Sequence, residues 1–306
     1  MEKAIIDWLM QGDPAIRWQA LRDLLDAPAE DVQAERARTA HEGWGADLLA
    51  RQDPDGRWGG GLYSHKWTST TYTLILLRRL GLPAGHPQAL RGLQVLLDAS
   101  DFSDGGIDMW RTSGRSDACV NAMVLALAAH FGMQDPRVDS QLDYLLEHQM
   151  DDGGWNCEQH KGAVHSSFHT TLSALEGLHE WQTARGPDAA IETAARRGEE
   201  FLLVHRLYKS HRTGQVVSAA MTRFSFPPRW FYDVMRALDY FQARQAALDP
   251  RLDDALALLR KKRRKDGFWN LQNRRTGRTF FEMETVGQPS RWNTLRALRI
   301  LRWVGD

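Results

Sequence analysis

Gln52-Asp53-Pro54-Asp55-Gly56-Arg57-Trp58 and Gln149-Met150-Asp151-Asp152-Gly153-Gly154-Trp155 are two copies of one pattern, Q-x-x-D-G-x-W. Shorter copies stand at Asp104-Gly105-Gly106-Ile107 and Asp266-Gly267-Phe268-Trp269, where an apolar residue again follows the first Gly by two places. The aspartates at 55, 104, 152 and 266 are 49, 48 and 114 residues apart. The last gap is twice 57 and holds a degenerate copy, Lys209-Ser210-His211-Arg212-Thr213-Gly214-Gln215, which makes five. Recurrence at a period of this size marks a repeat architecture.

A helical pattern precedes each copy, as in Ala46-Asp47-Leu48-Leu49-Ala50 and Leu142-Asp143-Tyr144-Leu145-Leu146, and a longer, more apolar one follows it. The followers run over residues 71–77, 120–131, 170–178, 234–241 and 294–303, with apolar side chains on nearly every face, so they belong inside. The less apolar first helices form an outer layer. The expected fold is therefore all-α, an α/α toroid of two concentric layers made from five to six helical hairpins. Residues 1–43 are expected to add capping helices to a ring over 44–306, the whole being one domain. In each turn Gly admits a positive φ, Asp caps the next backbone N–H groups, and Trp packs on the neighbouring hairpin. These turn residues are read as structural and carry no assigned chemistry.

Lys+Arg 39 against Asp+Glu 39 leaves no net field to favour nucleic acid or an anionic membrane. Two cysteines make no disulfide framework, the N-terminus has no signal pattern, and no apolar run reaches the roughly 20 residues of a membrane span. A soluble, cytoplasmic protein is expected. The 12 Trp, 11 Phe and 6 Tyr are the unusual feature.

In such a ring the inner helices run in one direction, so their N-termini and positive dipole ends gather at one mouth. The linkers ahead of them are rich in Lys, Arg, His and Trp: Lys66-Trp67, Arg111 with Arg115, His165 to His169, Arg229-Trp230-Phe231-Tyr232-Asp233, and Arg291-Trp292. Capping alone needs only Ser, Thr or Asp, so this set suggests a substrate pocket. Lys66, Trp67, Arg111, Arg115, Trp230, Arg291 and Trp292 are the candidate substrate-binding residues. His165, Arg229 and Asp233 are the candidate catalytic ones. Helix-end satisfaction remains the alternative for Arg229 and Arg291. The basic run from His205 to Arg212 covers the mouth or is a solvated turn; Lys261 to Lys265 complement a helix dipole.

The repeats after residue 44 resemble those of the squalene-hopene cyclase and protein prenyltransferase β-subunit superfamily. Class II terpene cyclases of that group protonate an alkene with a D-x-D-D acid, which this chain lacks; its nearest acidic pairs are Asp151-Asp152 and Asp253-Asp254. The prenyltransferases hold a catalytic zinc by Asp-x-Cys at one inner-helix start and a His at the next. Asp117-Ala118-Cys119 and Phe168-His169-Thr170 resemble that arrangement. The resemblance thus implies a zinc ion on Asp117, Cys119 and His169, with an open position for a thiol. It also places Arg111 and Arg115 where the family meets an isoprenoid diphosphate. His165 is then a fourth ligand or an acid/base group, and Cys157 with His160 is a competing ligand source. The aromatic residues that follow the family's Cys are replaced here by Val120 and Met123, and no α-subunit is encoded, so a smaller acceptor than a protein is expected. Three readings stay open: a zinc-dependent prenyltransferase- or cyclase-like enzyme on an isoprenoid-like substrate, a metal-free cyclase-like enzyme with Asp233 as acid, or a non-catalytic binder of an apolar ligand or a protein.

Overall fold

The computed structural model describes residues 2–110 and 114–306. Arg111 lies outside them. In chain order the helices are α1 (Glu2–Met10), α2 (Pro14–Asp23), α3 (Ala29–Ala37), α4 (Gly43–Leu49), α5 (Thr70–Leu80), α6 (Pro87–Ala99), α7 (Ala118–Phe131), α8 (Pro136–Glu147), α9 (Phe168–Arg185), α10 (Ala189–Val204), α11 (Val234–Ala243), α12 (Asp253–Lys261) and α13 (Arg291–Trp303). Among the described residues there is no strand, so the expected all-α class holds. The five apolar stretches are α5, α7, α9, α11 and α13. No helix among the described residues is long and apolar enough to cross a membrane.

Two compact units divide the chain: Met1–Arg51 with Arg79–Pro83 and His205–Asp306, and Gln52–Arg78 with Ala84–Val204. In the second unit α7 buries residues on all its faces, with only Cys119 and His130 partly open. It packs on α9, where a Cβ at Gly177 would come within 2.7 Å of the Ala122 carbonyl oxygen. Its partner α8 buries one stripe, Val138, Gln141, Tyr144 and Leu145, as an outer amphipathic helix does.

Each Asp-Gly turn is one device repeated. Gly56, Gly105, Gly153 and Gly267 have φ of 92, 85, 95 and 92°, a region in which a side chain is strained. In three copies the residue two before the Asp closes the turn by donating its N–H across it: Asp53 to the Arg57 carbonyl at 2.8 Å, Met150 to Gly154 at 2.8 Å and Arg264 to Phe268 at 2.9 Å. The tryptophan backbone N–H groups of Trp58, Trp155 and Trp269 donate to the Thr70, Thr171 and Thr294 hydroxyls in the first turns of α5, α9 and α13. In the copy without Trp, Asn121 of α7 accepts from Ile107. The motif glutamines reach the next outer helix. Gln52 donates to the Gly56 and Gln88 carbonyls, and Gln149 to those of Gly153 and Ala194. Four residues beyond each of those helix carbonyls lies a glycine, Gly92 or Gly198, against which the Trp58 or Trp155 ring is pressed.

In the first unit the N-terminal helices meet the C-terminal one. Arg299 of α13 pairs with Asp23 of α2 at 3.2 Å and with Asp239 of α11 at 2.5 Å. Burial would push the Asp239 carboxyl up, but Arg299 and Arg296 hold it below its ordinary value. The degenerate fourth turn is a surface turn bound to α12: Lys209 and Arg206 both pair with Asp254, at 2.7 and 3.1 Å. A cavity of 1470 Å³ in this unit, lined by α1, α12 and α13 residues such as Ile5, Arg260 and Leu298, includes none of the candidate site residues.

Candidate functional site

The second unit gathers a set of reactive and aromatic groups at the starts of α5, α7 and α9. Its scaffold comes from the turns. Asp104 accepts from the Ser116 backbone N–H and hydroxyl, both at 2.7 Å, which fixes the linker into α7. Asp152 makes the equivalent pair of bonds to Ser166 and fixes the linker into α9. Ser167 then caps α9, so the helix starts at Phe168. His165 therefore lies in the linker, exposed, with its carbonyl accepting from Asn156 at 2.8 Å.

Asp117 occupies the cap position of α7, yet its side chain makes no capping bond. Its half-buried carboxyl is pushed up by burial, against the pull of the His160 and Lys161 charges. Two residues on, the Cys119 backbone N–H donates to the Cys157 sulfur at 3.3 Å. Cys157 Sγ also lies 3.5 Å from the Thr170 hydroxyl of α9. The two thiols are hydrogen-bonded to each other. The hydrogen bond to Cys157, helped by burial, pushes the Cys119 thiol up, while the same bond and the Thr170 hydroxyl pull Cys157 down. Asp117, Cys119 and Cys157 each present a ligand atom, and the three atoms lie within 4.8 Å of one another. His169, in the first turn of α9, is not part of that group.

Beside this group stands an aromatic cluster. Tyr63 meets Tyr72 with ring centroids 5.1 Å apart and Trp110 at 5.1 Å; Trp67 meets Tyr72 edge to face at 4.8 Å. The Tyr72 hydroxyl donates to that of Tyr63 at 2.6 Å. Burial and the charges of Cys119, Asp117 and Cys157 all push Tyr63 ionisation well up, so its phenol stays protonated next to the thiols. The Lys66 ammonium rides 4.7 Å over the Tyr63 ring and is exposed, as is Arg115. Sequence reasoning found Lys66, Trp67, Arg115, Asp117, Cys119 and His169 here. It missed Tyr63, Tyr72 and Trp110 and ranked Cys157 second, although Tyr63 precedes Trp67 by four residues and Cys157 follows the motif Trp155 by two.

The remaining candidates lie in the first unit. Asp233 is fully buried and caps α11, accepting from the Arg236 N–H at 2.9 Å and from the Ser225 N–H and hydroxyl at 3.2 Å. Arg229 is 7% exposed with a φ of 60°, and Trp230 stacks on Phe231. Arg291 donates to the Trp8 carbonyl at 3.1 Å and lies over the Trp8 ring. Trp292 stacks on Phe226 at 4.0 Å in the core. The half-buried Glu284, which the sequence did not mark, accepts from the Ser290 hydroxyl and the Arg291 and Trp292 N–H groups and so holds the start of α13.

No family model matches the chain. Over 153 residues it is 28% identical to the drimenyl diphosphate synthase of Streptomyces showdoensis, a match that spans 48% of this chain and 28% of the relative. Among solved structures, the type II terpene cyclase MstE of Scytonema aligns over 84% of this chain and 70% of its own, with a TM-score of 0.44 and 19% identity. The resemblance to terpenoid cyclases that the Asp-Gly turns carry is thus borne out by a terpenoid synthase over about half of the chain.

Proposed function

We propose that the chain is a terpenoid-processing enzyme that binds an isoprenoid diphosphate at the α5, α7 and α9 starts of the second unit. The observation that carries this is the aromatic cluster of Tyr63, Trp67, Tyr72 and Trp110 beside Asp117, Cys119 and Cys157. Aromatic faces suit a prenyl chain and any cation that develops on it. Exposed Lys66 and Arg115, with the positive ends of the helices, suit a diphosphate. A relative named for making drimenyl diphosphate supports the substrate class. The α7 start is also our proposed zinc centre, built on Asp117 and Cys119. A zinc ion there would supply a Lewis acid with a position open to a thiol or water.

A second reading is favoured by Asp117 itself. A half-buried carboxyl raised by burial beside aromatic rings is suited to donate a proton to an alkene, which makes it a better acid for a metal-free cyclase than the capped Asp233. Incubation with prenyl diphosphates of increasing chain length, with and without a chelator, separates the two. Product formed only with metal supports the zinc reading, and product unaffected by chelation but lost in Asp117→Asn supports the acid. No turnover of any prenyl diphosphate, with wild-type protein loaded with zinc, contradicts both.

A further inference from the structure

Two thiols and a carboxylate that converge from separate segments are more than a capped helix end needs. Cys119 is the second residue of α7, whereas Cys157 belongs to the linker after the third Asp-Gly turn, and the third turn's own bonds hold that linker in place. The Cys119 N–H donates to the Cys157 sulfur and the Thr170 hydroxyl lies 3.5 Å from it, so the sulfur is held between the starts of α7 and α9. Around a tetrahedral zinc with Zn–S near 2.3 Å, neighbouring sulfurs stand about 3.8 Å apart and a sulfur and an oxygen slightly closer. Ligand atoms already within 4.8 Å of one another have about 1 Å to close to that spacing. His169 does not belong to the group.

We propose that Asp117, Cys119 and Cys157 form the binding site of a thiophilic divalent metal ion, with Cys157 in place of His169 as the third protein ligand. This rests on the reading of the α7 start as a metal centre and specifies its donors as two sulfurs and one oxygen. Such a set selects zinc, cadmium or cobalt over magnesium and calcium, which take oxygen ligands. The Thr170 hydroxyl and the Cys119 N–H then act as the outer partners that orient the Cys157 sulfur.

The test is a titration of the whole reduced protein with cobalt(II) in a phosphine reductant, read by the sulfur-to-cobalt charge-transfer absorption and by competition with zinc. The expected result is one tightly bound ion whose absorption is retained in His169→Ala and falls roughly in half in Cys157→Ser, one thiolate of two. Retention in Cys157→Ser with loss in His169→Ala overturns the assignment of Cys157 while leaving a metal centre at α7. Absence of any absorption in the parent protein overturns both. Alkylation of the parent protein gives a check that needs no variant, because the chain has only two cysteines. One equivalent of zinc is expected to shield both thiols, and shielding of Cys119 alone contradicts the site.

Discussion

The backbone N–H of Cys119 points at the sulfur of Cys157, 3.3 Å away, and so ties the second residue of α7 to a linker 38 positions further along the chain. Thiolate character follows from that contact, because an amide at a helix start and a neighbouring S–H both stabilise negative charge on the accepting sulfur. In the metal-free protein at neutral pH, Cys157 should therefore react with iodoacetamide several times faster than Cys119, whose thiol is held up. Peptide mass spectrometry over a time course measures the two rates. Faster modification of Cys119 would place the thiolate on the wrong sulfur.

Trp58 and Trp155 use the same socket. A Cβ at Gly92 would meet the Trp58 ring at 2.6 Å and one at Gly198 the Trp155 ring at 2.8 Å. Both rings are fully buried, with little room to shift. Gly92→Ala and Gly198→Ala should each cost about 1–3 kcal/mol of unfolding free energy, the usual range for overpacking. Chemical denaturation reads this directly, and a gain in stability, as expected for Gly→Ala on an open helix face, would contradict the packing described.

Glu180 of α9 is half-buried against Arg78, with His130 Nδ1 at 3.4 Å. Burial would raise its carboxyl, but Arg78 and His130 outweigh this and hold it at about 2, against an ordinary 4.5. A depressed carboxyl contributes stability that is complete above pH 4.5 and lost as the pH falls from there toward 2. The shift corresponds to about 3 kcal/mol. Glu180→Gln should lower stability at neutral pH and flatten the loss of stability over that acid window. Parallel acid slopes for the two proteins, measured by urea unfolding at a series of pH values, would contradict the pairing.

What the sequence showed was what the chain repeats. Each Asp-Gly turn carries its own closing hydrogen bond and glycine conformation, so local residues determine it, and α7 is apolar on nearly every face because it is covered on nearly every face. Asp117 and Cys119 were legible because they sit at fixed places before and inside an inner helix. Cys157 was read only as a competing ligand source, because its nearness to Cys119 depends on a contact across 38 residues. His169 adjoins Thr170, the residue that does address Cys157; a step of one residue turns a side chain by about 100° around a helix. The linkers of the first unit show the opposite case. Arg291 and Trp292 have the composition of a pocket wall, yet Arg291 covers Trp8 and Trp292 stacks on Phe226, contacts made with distant segments that no local pattern displays.

The central claim is that an isoprenoid diphosphate binds beside the aromatic cluster of the second unit. Titration of the protein with a non-hydrolysable prenyl diphosphate, followed by calorimetry, tests it most directly when the parent is compared with Trp67→Ala, Tyr63→Ala and a control in the first unit, Trp230→Ala. The account requires saturable binding that weakens roughly tenfold, about 1.4 kcal/mol, in each of the first two and is unchanged in the control. Binding that is lost in Trp230→Ala while Trp67→Ala and Tyr63→Ala bind like the parent would contradict it.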